Sequence, residues 1–275
     1  MSSNILSSKS LVMFEEIIIF CILGILAGLL AGMFGIGGGL IIVPVLIWTF
    51  VKLGFDDSVI VHLAIGSTIS CIIFTGLSSA IAHWKKKSIN FSLYKPVAFG
   101  IILGSFYGAL FAVQIDGILL KLIIAIFILI VGIHTLFNIR IFSKEIKINN
   151  IVSVFAGSFI GFLSSILGIG GGTFSVPYFR ASGLSLTSAI GTSAACGVPI
   201  AIFGTIGYIV AGINEDILPN MSYGYIYLPA LFGVSITSVF AAKYGAELAH
   251  YLSQSTLRKL MGTWFLMVSL ILFLI

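Results

Sequence analysis

The sequence predicts an all-α integral membrane protein. We read it as a polytopic helical bundle of two inverted repeats, each a glycine-broken re-entrant helix hairpin plus three spanning helices. Three observations predict this class. Of the 275 residues, 59% are hydrophobic and 8% charged, against roughly 25% charged in a soluble domain, so the outer surface must face lipid. The apolar runs are long and continuous, as in Leu119–Phe137, unlike the alternating ~10-residue segments of a membrane barrel. A single glycine motif also occurs twice: Gly35-Ile-Gly37-Gly38-Gly39 ending at Pro44, and Gly168-Ile-Gly170-Gly171-Gly172 ending at Pro177.

The repeat extends past the glycines. Ala64-Ile-Gly66-Ser67-Thr68 returns as Ala189-Ile-Gly191-Thr192-Ser193, each followed by a cysteine, Cys71 and Cys196. Pro96–Gly100 is echoed by Pro229–Gly233, and Leu120-Lys121-Leu122 by Arg258-Lys259-Leu260. The polar hinge Ser143–Asn150 separates the halves, giving repeats over residues 1–145 and 146–275 of a single transmembrane domain.

In each half a helix runs up to the glycines, over about Val12–Phe34 and Ile151–Leu167. A short arm follows, Leu40–Phe50 or Thr173–Ala181. A spanning helix needs about 20 residues, so the arms read as the return limbs of hairpins. Three long runs complete the first half, about Ser58–His83, Leu93–Val113 and Ile118–Ile139. Their counterparts are Leu186–Ala211, Tyr225–Tyr244 and Thr256–Ile275. Met1–Ser10 lacks a signal-peptide cleavage pattern, so the first run reads as a retained helix.

An odd number of crossings per half turns the second half over. With both termini outside, Lys85–Lys87, Lys95, Arg140, Arg180, Lys243, Arg258 and Lys259 fall inside. Most acids, including Asp56, Asp57, Asp116, Glu215 and Asp216, fall outside. That distribution obeys the positive-inside rule. The net charge of +5 therefore reads as orientation, and no nucleic-acid partner is expected. The odd cysteine set, Cys21, Cys71 and Cys196, has no CxxC spacing, so neither a disulfide framework nor a metal site is expected, and no cofactor is.

Unwound backbone at membrane depth persists only where protein or a polar cavity satisfies it, and paired interruptions in two halves point to a transporter's binding site. The candidate site is therefore built from Gly37, Gly38, Gly39, Gly170, Gly171, Gly172 and Thr173. Each triplet opens a short arm whose first N–H groups lack helical partners, an arrangement that attracts anions. Pro44 and Pro177 limit or kink the arms and serve as structural hinges. Ser67, Thr68, Thr192 and Ser193 add hydroxyls, and Cys71 and Cys196 lie on the same helical stripes. Close helix packing through small residues is the competing explanation for the glycines, and back-bonding to helix carbonyls for the hydroxyls. Among the histidines, His62 lies near Ser67 and could carry a coupling proton; His83 and His250 lie at inside ends, and His134 sits late in an apolar run. A nucleotide loop is excluded, since no GK[ST] follows the glycines.

The doubled GIGGG-x₄-P and A-I-G-[ST]-[ST] patterns resemble the sulfite exporter TauE/SafE family, also called the toluene sulfonate uptake permease family, over nearly the whole chain. The resemblance implies a multi-pass protein of the bacterial inner membrane that moves small sulfur-containing anions such as sulfite, sulfoacetate or sulfonates. With no ATPase motif in the chain, a secondary transporter is expected, coupled to protons through rocking of the two halves. The alternatives are an anion channel or facilitator and a non-transporting membrane scaffold. HExxH, GxSxG and an intramembrane carboxylate pair are all missing, so no enzyme is expected. Anion identity, direction and oligomeric state stay open at this level.

Overall fold

The computed structural model describes residues 16–30, 33, 38–137 and 149–274, with the backbone alone at 246, 247, 249, 250 and 254. These residues are helical: α1 (Glu16–Leu30), then α2 (Gly39–Lys52), α3 (Asp57–Lys85), α4 (Phe91–Ala112) and α5 (Gly117–Phe137). The series continues with α6 (Asn150–Leu167), α7 (Gly172–Ala181), α8 (Leu186–Gly212), α9 (Leu228–Tyr251) and α10 (Gln254–Leu274). Seven helices are long and apolar enough to cross a bilayer: α3, α4, α5, α6, α8, α9 and α10. Six correspond to the expected long runs. The seventh, α6, is the limb entering the second glycine turn, and its 18 residues just reach spanning length. Gly37 and the hinge residues 143–148 lie outside the described residues.

Chemistry at the helix starts separates two kinds of element. Asp56, Asn90, Asn149 and Ser185 cap α3, α4, α6 and α8 by accepting a backbone N–H of the first turn. Asp116 does the same for α5. Such caps satisfy the donors that a helix leaves unpaired at its N-terminus. The short helices differ. α2 and α7 start from Gly38 and Gly171, which have no side-chain cap and adopt matching left-handed conformations (φ 80° and 78°). Glycine is required there because a Cβ disfavours that region. At about 1.5 Å per residue, the 14 residues of α2 and the 10 of α7 fall short of the ~30 Å hydrocarbon core. Both helices continue through their prolines rather than stopping at them.

Close glycine contacts give the helix directions. α3 and α8, counterparts in the two halves, run antiparallel: Gly66 faces Tyr208, Gly204 faces Ile69, and Gly76 faces Gly197. α5 and α10 are antiparallel as well, with Gly132 against Phe265 and the Ser269 hydroxyl donating to the Ala125 carbonyl at 2.9 Å. α4 and α6 run parallel along a glycine seam. A Cβ on Gly100, Gly104 or Gly108 would strike the backbone of Val154, Ser158 or Phe162 in turn, and one on Gly157 or Gly161 would strike that of Val97 or Ile101. The first half repeats this seam where Gly24 and Gly28 of α1 lie on Val234 and Ser238 of α9. Without a hydrophobic drive between helices in lipid, this close backbone approach is what holds such pairs.

The two ends of the bundle differ in charge. Lys85, Lys86 and Lys87 end α3 beside the start of α8, because Ser88 packs on Gly191, and Arg180 lies in the same region at the end of α7. Arg258 and Lys259 start α10 beside the end of α5, where Gly262 meets Leu136. At the opposite end, Asp56 and Asp57 start α3, Asp116 precedes α5, and Glu215 and Glu16 accept from Tyr225 and Tyr227.

Candidate functional site

The glycine turns meet in the middle of the bundle. A Cβ on Gly39 would run into the Gly168 carbonyl and lie 2.8 Å from the Ile169 Cα and 3.2 Å from Ile72, a residue midway along α3. Gly170 faces the same Ile72, at 3.4 Å. From this junction a cavity of about 510 Å³ extends to the last turns of α3 and α5 at the basic end. Gly170, Gly172, Thr173, Val176 and Pro177 form one wall, and Ile190, Ser193, Ala194 and Gly197 of α8 adjoin it. The opposite side is lined by Ile72, Thr75, Gly76, Ser79 and His83 of α3 and by Val131, His134 and Thr135 of α5. None of these residues is Asp, Glu, Lys or Arg.

The local fold makes the α7 wall a donor surface. Phe174 and Ser175 donate their N–H groups to the Gly171 carbonyl (3.0 and 2.8 Å). The N–H groups of Gly172 and Thr173 precede them, and no helical carbonyl lies upstream to accept from these. A Cβ on Gly172 would meet nothing closer than the Ser193 hydroxyl at 3.9 Å, so its backbone faces open cavity. The Ser175 hydroxyl donates to the Gly171 carbonyl at 2.9 Å, which leaves its oxygen to accept from Ser193 at 2.7 Å. Ser193 can therefore turn toward a ligand only by releasing Ser175.

The structure thus brings Gly170, Gly172, Thr173, Pro177 and Ser193 together around one cavity. The other residues proposed from the sequence take different places. Gly38 and Gly171 provide the left-handed turns, and Gly39 packs backbone to backbone against the opposite turn. Pro44 is buried within α2. The Ser67 hydroxyl accepts the Tyr227 N–H at 2.9 Å, and Thr68 donates to the Ala64 carbonyl at 2.7 Å. Thr192 donates to the Ser188 carbonyl and accepts the Asn90 N–H at 2.9 Å. Cys71 lies against the carbonyls of Ala230 and Leu231, and both Cys71 and Cys196 are fully buried. His62 is 4% exposed, with Nε2 donating to the Ile115 carbonyl at 3.0 Å.

The end toward the acidic groups is sealed. Every α3 residue from Val59 to Ile72 is buried. Phe20, Phe50, Phe55 and Tyr227 stack edge to face or tilted, with centroids 5.2–6.1 Å apart. The Tyr227 hydroxyl donates to the Glu16 carboxylate. Beside this cluster the His62 ring packs on Tyr225, which donates to Glu215. Loss of water around the Tyr225 hydroxyl and the nearby Glu215 charge push its pKa up to about 12. Among the described residues the acidic end is thus closed over the cavity, whose lining runs instead toward the basic end.

Sequence reasoning missed the α3 and α5 lining, above all His134. Its only sequence signal is an imidazole inside an apolar run, which becomes informative once α5 is known to face α7 through the Phe127–Phe174 ring contact at 5.4 Å.

The comparisons with known proteins agree with a membrane-spanning chain. The chain is similar to a protein of Haemophilus influenzae named "Probable membrane transporter protein", 36% identical over 95% of this chain and 100% of the relative. It is also similar to one of that description in Methanocaldococcus jannaschii, 26% identical over 88% of this chain and 90% of the relative. A third, from Bacillus subtilis, is 27% identical over 70% of this chain and 79% of its own length. No solved structure gives a significant match. The family model described as "Sulfite exporter TauE/SafE" matches residues 20–272, and with it the chain belongs to that family of membrane proteins.

Proposed function

We propose that this protein is a secondary transporter of small sulfur-containing anions, such as sulfite, sulfoacetate or other sulfonates, across the bacterial inner membrane. One observation carries the reading: the uncapped start of α7 presents the Gly172 and Thr173 N–H groups to a mid-bundle cavity with no fixed charge in its lining. A helix N-terminus attracts an anion through oriented donors. A lining without Lys or Arg lets that anion leave again, which turnover requires. A lining without carboxylates spares it like-charge repulsion.

Two inverted repeats account for the rest. The antiparallel counterparts α3 and α8 support this reading, as do the α1–α9 and α4–α6 seams. α6 starts at the basic end, α7 returns there, and α2 returns to the acidic end. We read α1–α2 and α6–α7 as re-entrant hairpins entering from opposite faces. The positive-inside rule then puts the basic end in the cytoplasm and both termini in the periplasm. In this frame the cavity is inward-open and the aromatic cluster around Tyr227 is the closed outer gate. A sealed end supports an alternating carrier over an open channel, with the proton gradient as its driving force.

Uptake of labelled sulfite and sulfoacetate into proteoliposomes, with and without an imposed pH gradient, tests the reading. Saturable uptake lost in Gly172→Val supports it. If the folded wild-type protein carries neither anion, the substrate class is wrong. Uptake indifferent to the pH gradient removes proton coupling alone.

A further inference from the structure

The two glycine turns match in backbone, yet their surroundings do not. Registering the halves on the duplicated motifs pairs Gly38 with Gly171, which share the left-handed turn, and Gly66 with Gly191. In that register the cavity wall formed by Gly172, Thr173 and Ser193 answers to Gly39, Leu40 and Thr68 of α2 and α3. The facing wall, Thr75, Gly76 and His83, answers to Ile200, Ala201 and Tyr208 of α8. Ile72 and Gly197 answer to each other, and both line the cavity.

One set surrounds open space and its counterpart is shut. Thr75, His83 and Thr173 are partly exposed, whereas Leu40, Thr68, Ile200, Ala201 and Tyr208 are all buried. A Cβ has room at Gly172 but would collide with the Gly168 carbonyl at Gly39. The shut set lies toward the acidic end. The Tyr208 carbonyl accepts the Tyr225 N–H at 3.2 Å, and Gly66 packs on both tyrosines. Packed interiors switch between discrete arrangements rather than deform continuously. Two repeats of one pattern can take up each other's packing, and an alternating carrier needs a second arrangement of that kind.

We propose that the protein holds a second substrate cavity, closed in this structure, which opens to the acidic end when α2 and the start of α3 part from the end of α8. Leu40, Thr68, Ala201 and Tyr208 line it, and it receives the same class of small anion through the Thr68 and Tyr208 hydroxyls. Opening lifts the Tyr225–Tyr227 segment off Gly66 and Tyr208. Gly39 packs on Gly168 and Ile169 of the opposite turn, so movement of α2 is felt at the turn into α7. The lining is again free of Asp, Glu, Lys and Arg, with a phenol at Tyr208 where the open cavity has the His83 imidazole.

The proposal rests on the two-repeat carrier reading, and thiol labelling separates their failures. In a background lacking Cys21, Thr68→Cys and Ala201→Cys place a thiol in the second cavity. Ser70→Cys and Thr205→Cys place one outside it on the same two helices, and all four positions are buried. Ser70 and Thr205 meet each other at 3.3 Å, and their counterparts Ala195 and Ala80 do not line the open cavity. Intact cells supplied with sulfoacetate are treated with an impermeant maleimide. A minor conformation is populated at about 0.1–10%, whereas unfolding exposes a buried thiol in about 10⁻³–10⁻⁶ of molecules, so the first pair should react about tenfold or more faster than the second. If one variant does not fold, the other decides against the control on its own helix. Equal rates in all four with normal wild-type uptake overturn the second cavity and leave the transport reading intact. Faster labelling of the first pair in protein that carries neither sulfite nor sulfoacetate supports the cavity and overturns the substrate class alone. Equal rates without uptake overturn both.

Discussion

The hydroxyl of Ser67 accepts the backbone N–H of Tyr227 at 2.9 Å, joining α3 to the chain entering α9 across 160 residues of sequence. Thr192 repeats this from the other half, accepting the N–H of Asn90 ahead of α4 at 2.9 Å. The glycine before each hydroxyl completes the contact. A Cβ on Gly66 would strike the Tyr225 carbonyl, and one on Gly191 would strike Ser88. The duplicated A-I-G-[ST]-[ST] motif is thus a reciprocal clasp: each half holds the entry of the other half's next long helix.

Substitution at the clasp should act on stability and leave affinity alone. Ser67→Ala leaves the buried Tyr227 N–H unpaired, a loss of about 1–3 kcal/mol. Thr173→Val removes a hydroxyl from the cavity itself. The expected split is a lower melting temperature at normal KM for Ser67→Ala, and a normal melting temperature with KM raised about tenfold for Thr173→Val. Thermal denaturation in detergent and uptake kinetics read the two effects separately. A raised KM in both variants would return Ser67 to the binding site.

Adjacent glycines of the second triplet should respond in opposite ways. At Gly171 the φ of 78° makes any side chain strained, and its Cβ would collide with Ile200. Gly171→Ala is expected to destabilise the fold by about 1–3 kcal/mol. A Cβ on Gly172 has room, and alanine favours the helix by about 1 kcal/mol. Gly172→Ala should therefore keep or raise the melting temperature while weakening substrate binding, since its methyl group projects into the cavity. Calorimetry with parallel binding measurements checks the pair; wild-type affinity in Gly172→Ala would count against ligand contact at the α7 backbone.

The α4–α6 seam should tolerate no added bulk. Gly104→Leu would drive a side chain into the Ser158 backbone and force the helices apart. Overpacking costs about 1–3 kcal/mol even where neighbouring side chains can yield, and backbone yields less. Gly104→Leu, and Gly28→Leu in the matching seam, are expected to lose the monodisperse folded peak on size exclusion. Recovery of either at wild-type yield contradicts the close approach.

Sidedness is testable with thiols. Cys71 and Cys196 are fully buried and should stay silent, so removing the half-buried Cys21 gives a clean background. In that background Ser79→Cys, in the cavity, should react with an impermeant maleimide only in inside-out vesicles, with substrate slowing the reaction. Tyr223→Cys, in the segment before α9 at the acidic end, should react only in intact cells. Labelling of both from one side would refute this sidedness.

The sequence by itself determined the class, the helices and the existence of a pair of special turns. Burial in lipid demands continuous apolar runs, and those runs, such as Leu119–Phe137, are visible in one dimension. The glycines announced a break in the helix at each turn, and the structure gives both breaks the same left-handed form, φ 80° at Gly38 and φ 78° at Gly171. Only the tertiary structure decided which polar groups are free to meet a ligand. Ser67, Thr192 and Ser193 look equivalent as letters, yet two clasp distant backbone while Ser193 lines the cavity with its hydroxyl held by Ser175. His62 stood out by its place before the motif, and His134 did not. Packing reversed them, since the Ile115 carbonyl, 53 residues from His62, occupies the His62 proton, and the pairing of α5 with α7 places His134 in the cavity wall. A hydrogen bond is satisfied by whatever partner the fold delivers, and the partners that decide these roles, Tyr227 for Ser67, Asn90 for Thr192 and Ile115 for His62, lie far away in the chain.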